Sequence, residues 1–134
     1  MYELTSRERD RLLAFKHDLH QHPELSHQEY GTTRKIKAFL RSIPGVEIID
    51  LPCTTGCAAR LAGKRPGPEV GLRADIDAIE QTETFESPYR SRIQGVMHAC
   101  GHDFHTAALL GAALILSGQS NRLSGTVDLI FQPA

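Results

Sequence analysis

Apolar side chains recur along this chain first with a helical period and later with an alternating one. From about Ser6 to His22, Leu12, Phe15 and Leu19 form one stripe of a helix. Pro23 ends it, because proline lacks the amide donor and clashes with the preceding turn. Ser26-His27-Gln28-Glu29 has the spacing of a capping box, where a hydroxyl and a carboxylate satisfy free amides at a helix start. The helix it opens carries Ile36, Phe39, Leu40 and Ile43 at i, i+3, i+4 and i+7, and Pro44-Gly45 terminates it. Val46 to Leu51, Thr55 to Leu61 and Glu69 to Ala74 are short runs bounded by Pro and Gly, which predicts strands. In the second run Cys57, Ala59 and Leu61 face one way and Ala58, Arg60 and Ala62 the other, and Val70, Leu72 and Ala74 repeat the alternation. Gly63 to Pro68 reads as a turn between strands.

Residues 77–97 have no clean period and read as a long loop, a feature that in a small domain is more often functional than idle. Phe104 to Ser117 is apolar almost all round, so this helix is expected to be buried on several sides, with Gly118 as its stop. Thr126 to Phe131 alternates into a last strand. Helices interspersed with strands predict an α/β fold layered around a central sheet. Such sheets bind ligands beyond the carboxyl ends of their strands. Asp75 and Asp77 follow the apolar run Val70 to Ala74 at one such end, and a Cys/His cluster precedes the buried helix. Sheet end and helix entry are therefore expected to meet at one site.

Composition narrows the picture by exclusion. The 134 residues hold 15 basic and 16 acidic side chains, a net charge of −1, which gives no field to attract nucleic acid or an anionic membrane. The longest apolar run, Ala107 to Leu116, is half the ~20 residues a membrane span needs. No apolar stretch follows the charged start Met1 to Asp10, so no secretory signal is expected. Three cysteines cannot all pair within the chain, which predicts a reducing, cytoplasmic setting.

All seven histidines fall in two stretches: His17, His20, His22 and His27, then His98, His102 and His105. Cys100 and His102, two positions apart, are preferred ligands of zinc and similar ions, or else a buried cysteine beside a capping His-Asp pair. Asp75 and Asp77 point to the same side if the strand continues. One then orients a ligand or holds a metal while the other caps a loop, or both are solvated acids at a strand end. His17 and His20 share a helix face, and His20, just before the break at Pro23, can line the pocket; surface exposure accounts for the others. Cys53 and Cys57 lack the second pair a zinc ribbon needs and read as a turn residue and a core residue. There is no Gly-rich phosphate loop after a strand and no G-x-S-x-G elbow.

Four stretches in order carry a resemblance: Leu19-His20-Gln21-His22-Pro23-Glu24-Leu25, Leu72-Arg73-Ala74-Asp75-Ile76-Asp77-Ala78, Gly95-Val96-Met97-His98-Ala99-Cys100-Gly101-His102-Asp103 and Phe131-Gln132-Pro133-Ala134. From about Arg11 onward the chain resembles the amino-terminal part of metal-dependent N-acyl-amino-acid amidohydrolases, the family of aminoacylase-like enzymes, hippurate hydrolases and auxin-conjugate hydrolases. The resemblance implies the first part of a zinc-exopeptidase-like catalytic domain, a mixed sheet flanked by helices, in a hydrolase using two divalent ions, Zn or Mn. It implies Cys100 as a metal-binding or bridging thiolate, His102 as a metal ligand, and Asp75 as the catalytic carboxylate that orients the machinery around the reacting water. Asp77, His98, Asp103 and His105 match the motifs as supporting residues. Arg73 stands where distant relatives carry a ligand histidine and is not counted. The substrate implied is an N-acyl-amino acid or similar small peptide-like molecule, with no nucleic acid or membrane partner.

In relatives the phrase Phe-Gln-Pro-Ala is followed by two glutamates, a general base and a metal ligand. Two further histidine ligands and an inserted dimerisation domain also lie beyond that point. The sequence ends at Ala134, so residues 1–134 are expected to be an amino-terminal segment that binds metal weakly, is inactive by itself and lacks the means to dimerise. The alternatives are a non-catalytic metal-binding or assembly module, or one half of a split enzyme. Ile79-Glu80 replaces the Leu-Pro of relatives, which predicts a reshaped loop. Val127 to Phe131 is expected to leave a bare apolar strand prone to aggregation.

Overall fold

Thr5 starts the first helix, α1 (Ser6–Gln21): its hydroxyl accepts from the Glu8 amide at 3.2 Å while the Glu8 carboxylate accepts from the Thr5 amide at 2.7 Å. The computed structural model describes residues 3–133; Met1, Tyr2 and Ala134, which bound the two terminal readings, lie outside the described residues. The second helix, α2 (Tyr30–Arg41), does not use the expected Ser26 capping box. Instead the Glu24 carboxylate reaches across to the Gly31 and Thr32 amides at 2.9 and 2.7 Å, and Ser26 is released for another contact. A carboxylate there satisfies orphan donors and complements the helix dipole, as a local cap would.

The sheet consists of β1 (Val46–Ile49), β2 (Cys57–Ala62), β3 (Arg65–Asp75) and β6 (Ser124–Gln132), in the order β1-β2-β6-β3. β2 pairs with β6 antiparallel and β3 pairs with β6 parallel, so the sheet is mixed. This corrects the expectation of a bare last strand: β6 is interior, flanked on both sides, and the edges are β1 and β3. Leu129 and Phe131 are fully buried there. Arg65 to Pro68, expected as a turn, already belongs to β3, which is tolerable because an edge strand with a register shift between Arg65 and Glu69 does not need the donors that Pro66 and Pro68 lack. Gly125 faces that irregularity with φ +83°, and a Cβ there would stand 1.9 Å from the Pro68 carbonyl oxygen.

Burial in β3 rises toward its carboxyl end, from exposed Val70 to buried Ala74, so the predicted alternation holds only where the strand is covered. Between β3 and β6 the chain makes the two-residue strands β4 (Ile79–Glu80) and β5 (Val96–Met97), which pair antiparallel and close the expected loop at its base. It then enters α3 (His102–Gly118), two residues earlier than the apolar pattern suggested. This crossing helix permits the parallel pairing of β3 with β6. Leu109, Leu110, Ala113 and Leu114 of α3 join Ile36, Phe39 and Leu40 of α2 and Leu129 and Phe131 of β6 in one core. Phe15 of α1 meets Phe39 edge-on at 5.2 Å between ring centroids. Among the described residues no helix is long and apolar enough to cross a membrane.

Candidate metal centre

β3 ends at Asp75, and the chain then passes through buried Ile76 to Asp77, which lies beyond the carboxyl end of the sheet. Leu25 bridges to Ala78, and the Ala78 amide donates to the Glu24 carbonyl at 2.8 Å, so the turn after α1 lies along this segment. Gly101, with φ +79°, takes a left-handed conformation that swings the chain into α3, leaving the helix without a side-chain cap.

The two stretches meet at His102. Its Nδ1 lies 2.8 Å from Asp77 Oδ1 and 3.1 Å from the Asp77 carbonyl, and the other Asp77 oxygen accepts from the Ser26 hydroxyl at 3.0 Å. Thr106 donates to the His102 carbonyl at 2.7 Å and closes the first turn. With Nδ1–H held by a carboxylate, an imidazole keeps Nε2 as its acceptor, the arrangement in which histidines bind metal ions. Among the described residues His102 Nε2 and the exposed Cys100 thiol have no hydrogen-bond partner, so this pair of soft and borderline donors fits a divalent cation. Taken by side chains alone, no three of His, Cys, Asp and Glu converge on one point among the described residues.

The other predicted positions separate. Asp75 is bound by Arg73 at 2.5 Å, and Arg73 also reaches Gln132 at 2.6 Å; Asp75 makes no side-chain hydrogen bond to His102 or Cys100. It is Asp77 that backs the imidazole. His105 is exposed, its ring centroid 5.6 Å from that of His102. Asp103 is buried and turns away toward α1, accepting from His20 Nδ1 at 2.8 Å and from Lys16 at 3.3 Å. Burial raises its carboxyl, but the His20 hydrogen bond and the charges of His98, Lys16 and His20 outweigh that and hold it below the ordinary range. His98 is buried with neither ring nitrogen partnered among the described residues, and burial pushes its pKa down to about 4.

Ser26, Lys16, Glu83 and Tyr89 belong to the same neighbourhood, and no sequence pattern marks any of them for this site. Ser26 satisfied a helix-cap pattern, and the others lie on a loop without period or on a charged helix face. Cys53 is exposed in a turn and Cys57 lies in the core, as expected, and burial pushes the Cys57 thiol up to about 12. The carboxyl end of this mixed sheet thus brings a carboxylate-backed histidine to the stretch that carries Cys100, a pairing of donor types of the class that binds divalent metals.

Comparison with known proteins makes that class specific. Residues 71–134 match peptidase family M20/M25/M40. N-acetylcysteine deacetylase of Bacillus subtilis is 48% identical over 125 residues, which cover 92% of this chain and 33% of that protein. N-acyl-L-amino acid amidohydrolase of Geobacillus stearothermophilus is 44% identical over 125 residues, again 92% of this chain and 33% of the relative. The crystal structure of a dinuclear metal-binding M20 peptidase from Bacillus subtilis superposes with a TM-score of 0.94 at 45% identity, covering 98% of this chain and 36% of that one. The chain is similar to the M20 peptidase family over residues 71–134, and its matched relatives are hydrolases. It spans about a third of the length of the curated relatives it matches and corresponds to their amino-terminal segment.

Proposed function

We propose that residues 1–134 form the amino-terminal segment of the catalytic domain of a two-metal amidohydrolase, which cleaves the amide bond of N-acyl-amino acids to a carboxylate and a free amine. Cys100 Sγ and His102 Nε2 are its metal donors, and Asp77 fixes the His102 tautomer. Asp75, steadied by Arg73, is the carboxylate at the reacting water, and His98 and His105 flank the donors. The observation that carries this reading is the 2.8 Å contact between His102 Nδ1 and Asp77 across 25 residues of sequence, in a chain whose relatives are amidohydrolases.

A divalent ion, zinc or manganese, supplies an acidified water and a polarised carbonyl when bound. The chain's own contribution is to hold the imidazole in one tautomer and orientation and to carry the exposed thiol two residues before it. A catalytic zinc site normally has three protein ligands. With two donors, this segment alone is expected to bind metal weakly and not to turn over substrate. The remaining ligands, the general base and the dimerisation domain belong to the rest of the family's fold, and the setting is cytoplasmic.

Titrating the chain with Co²⁺ and following the thiolate absorption tests the assignment. Weak binding lost in both Cys100→Ser and His102→Ala is the expected result. Binding unchanged by either substitution, or robust metal-dependent hydrolysis of N-acetyl- or N-benzoyl-amino acids by this chain, contradicts it. A self-contained metal-binding module is the second reading, favoured by the interior position of β6, which leaves the four-stranded sheet without a bare central strand.

A further inference from the structure

The start of α3 has no cap of its own, so its first turn takes its orientation from whatever holds His102 and Asp103. Asp77 holds the first. The second is held by an imidazole on a different helix. His20, in the last turn of α1, places Nδ1 2.8 Å from Asp103 Oδ2 and Nε2 3.3 Å from Glu83 Oε1, with its side chain 12% exposed and those of its partners 2% and 7%. The second Glu83 oxygen accepts from the Ser91 amide at 2.7 Å, and Arg90 donates to the Glu83 carbonyl at 2.6 Å. Tyr89 of the same loop stacks on His17 at 4.0 Å and meets the His20 ring edge-on at 5.7 Å. One side chain thus ties α1, the start of α3 and the loop between β4 and β5.

We propose that His20 is a positioning residue for the metal donors: by gripping Asp103 it sets where Cys100 and His102 stand, and by gripping Glu83 it seats the loop beside them. Cys100 makes no hydrogen bond of its own among the described residues and follows the backbone of the helix start. A shift of the backbone at Asp103, once the His20 contact is lost, would therefore move both donors relative to Asp77. The proposal rests on the metal reading above for its function, but the mechanical link can be tested without metal.

The two arms separate chemically. In His20→Asn the amide nitrogen stands near the Nδ1 position and keeps the bond to Asp103; in His20→Gln it stands near Nε2 and keeps the bond to Glu83. In a Cys53→Ser background, the expected effect of His20→Gln is about a tenfold loss of Co²⁺ affinity. The metal-free rate of Cys100 alkylation by iodoacetamide should also change by more than about threefold. His20→Asn should leave both readouts within about twofold of the parent. Glu83→Gln, which loosens only the loop arm, should do the same, and this variant keeps the test open if a His20 variant fails to fold. A merely structural role would make Asn and Gln alike in both readouts, or would make Glu83→Gln as damaging as His20→Gln; either result overturns the proposal. If the parent chain binds no Co²⁺, or Cys100→Ser binds it equally well, the metal reading fails, and the order of alkylation rates still decides the mechanical one.

Discussion

Acidification from pH 7 to pH 5 is expected to cost this fold about 2 kcal/mol through one imidazole. His98 is 4% exposed, and neither ring nitrogen has a partner among the described residues. Burial dominates its titration; Asp103 opposes, His20 and His102 add to the effect, and the pKa falls from 6.5 to about 4. The unfolded chain takes up this proton near 6.5 and the folded chain only near 4, so between those values the unfolded state binds more protons. Stability is therefore complete above pH 6.5 and is lost as the pH falls toward 4. At about 1.4 kcal/mol per unit the whole window is worth about 3 kcal/mol, most of it spent by pH 5. Urea unfolding at pH 7 and pH 5, with EDTA to remove metal from the neighbouring donors, measures it. His98→Leu removes both the titration and the unpartnered N–H, so it should stay within about 1 kcal/mol of the parent at pH 7 and lose the pH-dependent part. The reasoning fails if the parent loses less than about 0.5 kcal/mol between the two pH values, or if His98→Leu loses as much as the parent.

Three further outcomes follow from single contacts. Thr5→Ala breaks the reciprocal pairing with Glu8 and should lower stability by about 1 kcal/mol in thermal unfolding, an unchanged midpoint arguing against the cap. Gly125→Ala would force a methyl into the Pro68 carbonyl from a left-handed backbone, and should cost about 2–4 kcal/mol; a loss within error would mean the β3 irregularity is free to move. Asp77→Asn keeps an acceptor for His102 but removes the charge, and should weaken Co²⁺ binding about tenfold; unaltered affinity would detach Asp77 from the donor pair.

Elements whose cause is local were legible in the sequence. The stripe through Ile36, Phe39, Leu40 and Ile43 is buried as read, and the alternation of Val127, Leu129 and Phe131 faces the core. What failed had a distant cause. Ser26 looked like a helix cap because spacing cannot reveal that Glu24 takes over that task, which frees Ser26 for Asp77. The interior position of β6 depends on a parallel partner more than 50 residues upstream, and a strand's alternation carries no sign of how many neighbours it has. Asp75 and Asp77 were equivalent by alternation, and only the turn after β3 sorts them, giving the first to Arg73 and the second to His102.

The site also shows why two consecutive residues, His102 and Asp103, are each joined to a group of the opposite kind from elsewhere in the chain. The inner pair, Asp103 with His20, is more desolvated than the outer pair, Asp77 with His102, whose side chains are 9% and 19% exposed. Removing one partner of a buried polar pair leaves the other desolvated without that contact and is costly, whereas the outer pair lies closer to solvent. The inner contact ties the helix start to α1, and the outer contact holds His102 Nδ1 and leaves Nε2 without a partner among the described residues. Loss of the inner pair is therefore expected to disturb both donors together, while loss of the outer pair weakens His102 alone.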